Sequence, residues 1–145
     1  MTWARLAAGE RGSSSLELVV IAPAMVLLLA FAVFCGRSVI ADNAVEEAAR
    51  AAARAASIAV DATSAQQAAQ TGAEQTLSRQ DLRCASLSVS VDTSGFGAPI
   101  GVPAAVRVDV SCVVDMSDLL MPGLPGTKTV SAEFSSPIDA HRERG

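Results

Sequence analysis

Arg11-Gly12-Ser13-Ser14-Ser15-Leu16-Glu17 opens onto eighteen uncharged residues, LVVIAPAMVLLLAFAVFC from Leu18 to Cys35, closed by Gly36-Arg37. The reading of this stretch decides the fold. Eighteen helical residues span about 27 Å, close to the hydrocarbon thickness of a bilayer. The small domain that the rest of a 145-residue chain can build has no core that needs such a run. One ionisable residue, Glu17, stands at its entrance. A carboxylate at the bilayer centre costs about 2.5–3.5 kcal/mol and less near the interface, so Glu17 is a functional candidate.

Three readings of the run compete. A secretory signal peptide fits Ala30-Phe31-Ala32 as a small-x-small pattern, with cleavage after Ala32 and release of a binding module. A lipoprotein signal ending at Cys35 needs a small residue where Phe34 stands. A single-span anchor, uncleaved or trimmed at its N-terminus, fits the length of the run best, and it is the reading preferred. Arg5 and Arg11 precede the span, while Arg37, Arg50 and Arg54 follow it closely. The distribution of positive charge therefore does not decide orientation.

Half of the residues are hydrophobic, yet only five are aromatic: Trp3, Phe31, Phe34, Phe96 and Phe134. Alanine supplies much of the apolar count, which favours long helices with thin packing over a large core. The net charge is −4 and the basic residues are scattered, so the chain has no nucleic-acid footprint.

Beyond the span, Ser38 to Val60 reads as a helix. Val39, Ile40, Val45, Ala48, Ala49, Ala52, Ala56 and Val60 recur at three and four, and Asp42, Glu46, Arg50 and Arg54 step by four on another face. A continuous rod from Ser14 to Val60 would be about 70 Å long. Its alanine stripe suits close approach of a neighbouring helix, or cover for the chain's own sheet. Asp61-Ala62-Thr63-Ser64 interrupts it, and Ser64 with Gln67 forms a capping-box pattern that restarts a helix to about Leu82.

From Ala85 the period becomes two. Leu87, Val89 and Val91 alternate with serines, then Val106, Val108, Val110, Cys112 and Val114 alternate with polar residues. Glycines and prolines from Asp92 to Pro103 and from Asp115 to Gly126 mark two loops. A third strand follows from Thr127 to Phe134, and a polar tail from Ser135. The expected fold is α+β: a long N-terminal transmembrane-plus-extension helix, a second helix, and a three-stranded antiparallel sheet with a helix on one face.

Catalytic candidates are nearly absent. The single histidine, His141, lies in the tail beside Arg142, and Asp115 and Asp118 flank a loop without partners. No metal-ligand spacing, phosphate loop or nucleophile motif occurs, so no catalytic, cofactor-binding or metal residue is assigned. The informative spacing is at the span entrance. A cut after Gly12 would give Ser13 a free α-amino group and make Glu17 its i+4 neighbour on one helix face. A cationic terminus, from the same or a neighbouring subunit, would lower the cost of burying Glu17. The plainer role is a carboxylate that reaches out to the headgroups.

Gly12, four residues, Glu17 and a hydrophobic helix resemble the processing site of type IV pilin-like proteins. Arg11-Gly12 through Glu17, with Pro23 six residues further and Gly36-Arg37 closing the span, resembles more narrowly the TadE-like family. Its members are minor pilins or pseudopilins of the tight-adherence (Flp) pilus machinery. Phe34 stands where many of them carry an acidic residue. The resemblance implies a type IV pilin-like fold and a structural, non-enzymatic role in pilus assembly. It implies cleavage by a prepilin peptidase between Gly12 and Ser13, and Glu17 as the assembly carboxylate. It implies as partners that peptidase, other pilins or pseudopilins, the assembly platform and the lipid bilayer. It places a single-pass chain in the cytoplasmic membrane, N-terminus cytoplasmic, with the C-terminal domain outside. The chain then divides into a prepilin-type leader (1–12), a transmembrane helix (13–37), a helical extension broken near 61–64 (38–83), an antiparallel β domain (84–135) and a polar tail (136–145).

Cys84 and Cys112 are the candidate disulfide. Pairing Val89 with Val106 and Leu87 with Val108 keeps both apolar stripes on one face, but sets Cys84 opposite Ser111, facing away from Cys112. A bulge or a coil start at Cys84 would bring the thiols together, and an oxidising compartment favours the bond. Cys35, at the span edge, reads as an apolar filler.

Overall fold

The computed structural model describes residues 13–117 and 126–139, with side chains from residue 18 onward. The chain divides after Gly36 into two compact units, 1–36 and 37–145. The element order is α1 (Ser13–Ser57), α2 (Ala62–Arg79), β1 (Cys84–Asp92), a short 3-10 turn (Ser94–Gly97), β2 (Ala104–Asp115) and β3 (Thr127–Ile138). The three strands form one antiparallel sheet in the order β1-β2-β3. The fold is α+β: one long helix with an apolar N-terminal half, a second helix, and a three-stranded antiparallel sheet.

In the second unit, α1 is apolar along one broad stripe. Ala41, Ala44, Val45, Ala48, Ala49, Ala52, Ala53 and Ala56 are buried at helical spacing. Three contacts fix how this segment runs over the sheet. Lys128 at the start of β3 reaches both Ser38 and Asp42, Arg50 lies over the Phe134 ring, and Ser136 donates to Ser57 at the helix end. From Ser38 to Ser57 the helix rises about 29 Å, and from Lys128 to Ser136 the strand covers about 27 Å. The two therefore keep step, and α1 follows the direction of β3.

Helix α2 returns antiparallel beside α1. Gly72 lies against Ala51, Ala52 and Ala55, and Gln80 at its end donates to Glu47. Its own buried residues are Ala65, Ala69, Ala73, Thr76 and Leu77. On the sheet, Val106, Val108, Val110 and Cys112 of the central strand are fully buried beneath the helices. The other face carries Ser88, Ser111 and Ser131 in one row, with Ser131 donating to Ser111. An Arg107–Glu133 ion pair lies on the same polar face.

Several boundaries differ from the sequence reading. Helix α1 ends at Ser57, not Val60, and Val39, Ile40 and Val60 are exposed while Ala41, Ala44 and Ala53 take core positions. The restart is capped by Asp61, not by Ser64 with Gln67. Ser64 N–H donates to Asp61 Oδ1 at 2.8 Å and Asp61 N–H donates to Ser64 Oγ at 3.2 Å. The hydrogen bond from the Ser64 backbone holds the Asp61 carboxyl below its usual range. The ionised cap therefore contributes its stability at neutral pH and loses it as pH falls below about 3.9. Strand β3 continues past Phe134 to Ile138.

The β1–β2 register is offset by four residues. Val89 pairs with Val110 and Leu87 with Cys112, instead of Val106 and Val108. An even offset preserves the faces, so the apolar stripes still coincide. The cause lies in the connection. The 3-10 turn lies along the start of β2, with Gly95 against the backbone of Ala105, in the space a longer β1 would have filled.

Two glycines should respond in opposite directions. A Cβ at Gly72 would meet Ala55 Cβ at 3.4 Å, an ordinary contact, and Gly in a helix interior is about 1 kcal/mol worse than Ala. A Cβ at Gly95 would overlap the Ala105 carbonyl oxygen. In thermal unfolding of the full chain, Gly72→Ala is expected to raise the midpoint and Gly95→Ala to lower it. An unchanged midpoint for Gly95→Ala would contradict the seating of the turn.

Candidate functional site

The described side chains of the first unit are almost all apolar and exposed. Every residue from Leu18 to Leu29 is exposed, with Leu18 at 69% and Val20 at 70%. Apolar surface on this scale marks contact with a membrane or another protein. The helix is long and apolar enough to cross a bilayer, and among the described residues none of its most apolar stretch is buried. It runs through Pro23, which removes one backbone donor; membrane helices tolerate this. Cys35 is a free, exposed thiol near its end.

Of the sequence-predicted residues, Gly12 lies outside the described residues. Ser13 is the first residue of α1 and Glu17 lies in its next turn. An unbroken helix from Ser13 to Glu17 sets the two at i and i+4 in the backbone. The side chains of both lie outside the described set, as do Asp118 and His141.

Cys84 and Cys112 are joined by a disulfide, with Cα atoms 5.4 Å apart. A β-bulge between Cys84 and Ser86 makes this geometry. It sets Cys84 opposite Val114 and so turns it to the buried face that Cys112 shares. The bond ties the edge strand β1 to the central strand beside the end of α2.

Two open grooves flank the turn between α2 and β1, and both use Asp81, Leu82 and Arg83. One, of about 330 Å³, runs between α2 and β1 past Leu77 and Leu87. The other, of about 410 Å³, is completed by Arg37, Ile40, Asp115 and Met116. Asp115 accepts from Ser117, whose side chain and backbone hold its carboxyl below the usual range. Such a carboxylate stays ionised at neutral pH and is a poor proton donor there. Among the described residues, no group of three His, Cys, Asp or Glu side chains could hold a metal ion.

Sequence reasoning missed the Lys128–Asp42 pair at 2.9 Å, which docks α1 on β3. A signal existed. Lys128 is the only lysine, and by alternation from Val130 it falls on the face of β3 that meets the helices.

Residues 12–54 match the family of TadE-like proteins. The match begins at Gly12, covers the apolar helix and ends within the alanine-lined segment of α1. No curated protein and no solved structure matches the chain.

The disulfide generates a prediction. It closes a loop of 28 residues, which stabilises the fold by roughly 3–4 kcal/mol in the chain-entropy model. Thiol labelling of protein from native membranes, unfolded without reductant, should modify Cys35 alone. Labelling of all three cysteines would show that the bond is not formed in the cell.

Proposed function

We propose that this chain is a minor pilin of a tight-adherence type pilus, anchored in the cytoplasmic membrane and acting in assembly rather than catalysis. The observation that carries the reading is the TadE-like match over residues 12–54, which coincides with the exposed apolar helix. In this reading a prepilin peptidase cuts between Gly12 and Ser13. The N-terminus is cytoplasmic, and the unit beginning at Arg37 lies outside the membrane. An oxidising environment there agrees with the Cys84–Cys112 bond.

Glu17 is the residue we assign to assembly. After cleavage, the new ammonium at Ser13 and the Glu17 carboxylate stand at i and i+4 on one helix. The carboxylate partners either that terminus or the terminus of a neighbouring subunit. Either pairing neutralises two charges that an apolar helix packing would otherwise isolate. The helix itself is the docking element, because its apolar surface suits lipid before assembly and other helices within it.

The Glu17→Ala variant separates assembly from insertion. Removing a charge eases insertion, so membrane abundance should equal that of the wild type. The unpartnered ammonium then costs on the order of 3–5 kcal/mol on burial, enough to abolish most assembly. Crosslinking to other pilus components in the same cells should fall sharply for the variant. Equal abundance with equal crosslinking would rule out the pairing.

A further inference from the structure

The two edges of the sheet are not equivalent. At the β1 edge, Gln66 Nε2 of α2 donates to Val89 O at 2.9 Å, and a bulge beside the disulfide interrupts the strand at Cys84. Such devices blunt an edge against further pairing. At the other edge, β3 runs twelve residues from Thr127 to Ile138 without a bulge. Among the described residues, no hydrogen bond reaches the backbone along its outer side.

Register tells which backbone groups stand on that side. The bond from Gln66 turns the Val89 backbone away from β2, so its partner Val110 bonds instead to Ala132. Alternation then points the N–H and C=O of Thr129, Ser131, Glu133 and Ser135 outward. Pro137 falls in the same set, where its missing N–H costs the β2–β3 ladder nothing. It closes a run of four residues that each offer one donor and one acceptor. The two charged side chains of the strand do not guard this run. Lys128 is held by Ser38 and Asp42 of α1, and Glu133 by Arg107 of β2.

One flank of α1 forms a wall beside the edge. Asp42, Glu46 and Arg50 step along it by four; Asp42 and Arg50 reach β3, and Glu46 pairs with Arg50. Phe134 belongs to the helix-facing side of β3, yet it is 39% exposed, whereas Val108 opposite it is fully buried. Ala132 is half-buried. Free backbone and two apolar side chains thus share one trough, with the Glu46–Arg50 pair on its rim.

We propose that the β3 edge takes up an extended segment of another protein as a fourth, antiparallel strand, with apolar side chains at alternate positions against Ala132 and Phe134. This partner concerns the second unit alone and does not depend on the membrane reading. A second copy of β3 does not fit. Helix α1 lies over β3 and α2 over β1. Neighbouring strands are about 4.8 Å apart, so pairing β3 with its own copy would set two α1 helices about 5 Å apart on one face. Packed helices need about 8–10 Å. A lone strand brings no helix and meets no such conflict. Its other residues stand beside Ser131 and Glu133 on the polar face, so polar and apolar positions alternate in it.

The test uses the full chain, isotope-labelled in detergent micelles, with amide exchange read residue by residue by nuclear magnetic resonance. In the chain alone, the amides of Ala132 and Phe134 should be protected, and those of Ser131 and Glu133 should exchange about a hundredfold faster or more. The probe is an acetylated heptapeptide of alternating threonine and valine, and its addition should protect Ser131 and Glu133. N-methylation of its two inner threonines removes N–H groups that bond β3 and should weaken binding about tenfold or more. N-methylation of two valines, whose N–H groups point away, should leave binding unchanged. Phe134→Ala should weaken the unmodified peptide, and Ser131→Pro should abolish its binding while the Ala132 and Phe134 amides stay protected. Equal effects of the two N-methylations, a loss confined to the valine set, or no binding of the unmodified peptide would overturn the strand addition. Protection of Ser131 and Glu133 in the chain alone would overturn the free edge, and protection that rises with chain concentration would overturn the exclusion of a second copy.

Discussion

The constraint on which the structure depends is that one helix must satisfy two different surroundings. From Leu18 to Cys35 α1 is apolar around its whole circumference, and among the described residues none of this run is buried. From Ala41 to Ala56 it is apolar along one stripe only, and that stripe is buried. Gly36-Arg37 marks the change, and the chain divides into its two compact units at the same place. A helix apolar all round needs lipid or other helices; a helix with one apolar stripe needs a sheet and a partner helix. Both requirements are written in a single uninterrupted element.

Small residues decide how the second unit packs. The helix stripe is alanine and one valine, and the central strand contributes valines and a cysteine. Alanine lets α1 and α2 approach until a Cβ at Gly72 would meet the backbone of α1 at 3.5 Å. The same thinness limits the apolar area buried per residue, and small cores of this kind gain much from a covalent tie. The Cys84–Cys112 bond supplies it at the edge strand, beside the C-terminal end of α2. The Lys128–Asp42 pair and the Arg50–Phe134 contact add orientation, since both are partly exposed and weak as sources of energy.

Most of the architecture was legible in the sequence because its signals are periodic. The eighteen-residue run, the three-and-four spacing of alanines and the strict alternation around Val108 each point to one element type. What was not legible was set by local geometry without a period. Ser64 looked like a cap because Gln67 follows it, but Asp61 won by bonding the Ser64 backbone and side chain together. The four-residue offset between β1 and β2 came from the 3-10 turn at Gly95, which no alternation pattern encodes. Val39 and Ile40 fit the helical stripe by spacing, yet both lie on the exposed side of the helix while Ala41 takes the core position. For the candidate site, the Gly12-to-Glu17 spacing was read from sequence alone, while the groove at Arg37 and Arg83 joins three segments that no linear pattern connects.

The central claim is that the apolar helix begins, in the working protein, at Ser13 with Glu17 four residues inside it. The most direct measurement is the N-terminal sequence and intact mass of the mature protein taken from its native membranes. The account predicts a chain that starts at Ser13 and retains the entire apolar helix. A chain that starts at Val33 would contradict it, because the helix would then have served as a cleaved export signal. A chain that starts at Met1 would contradict it as well, by leaving Glu17 without the terminus that its position calls for.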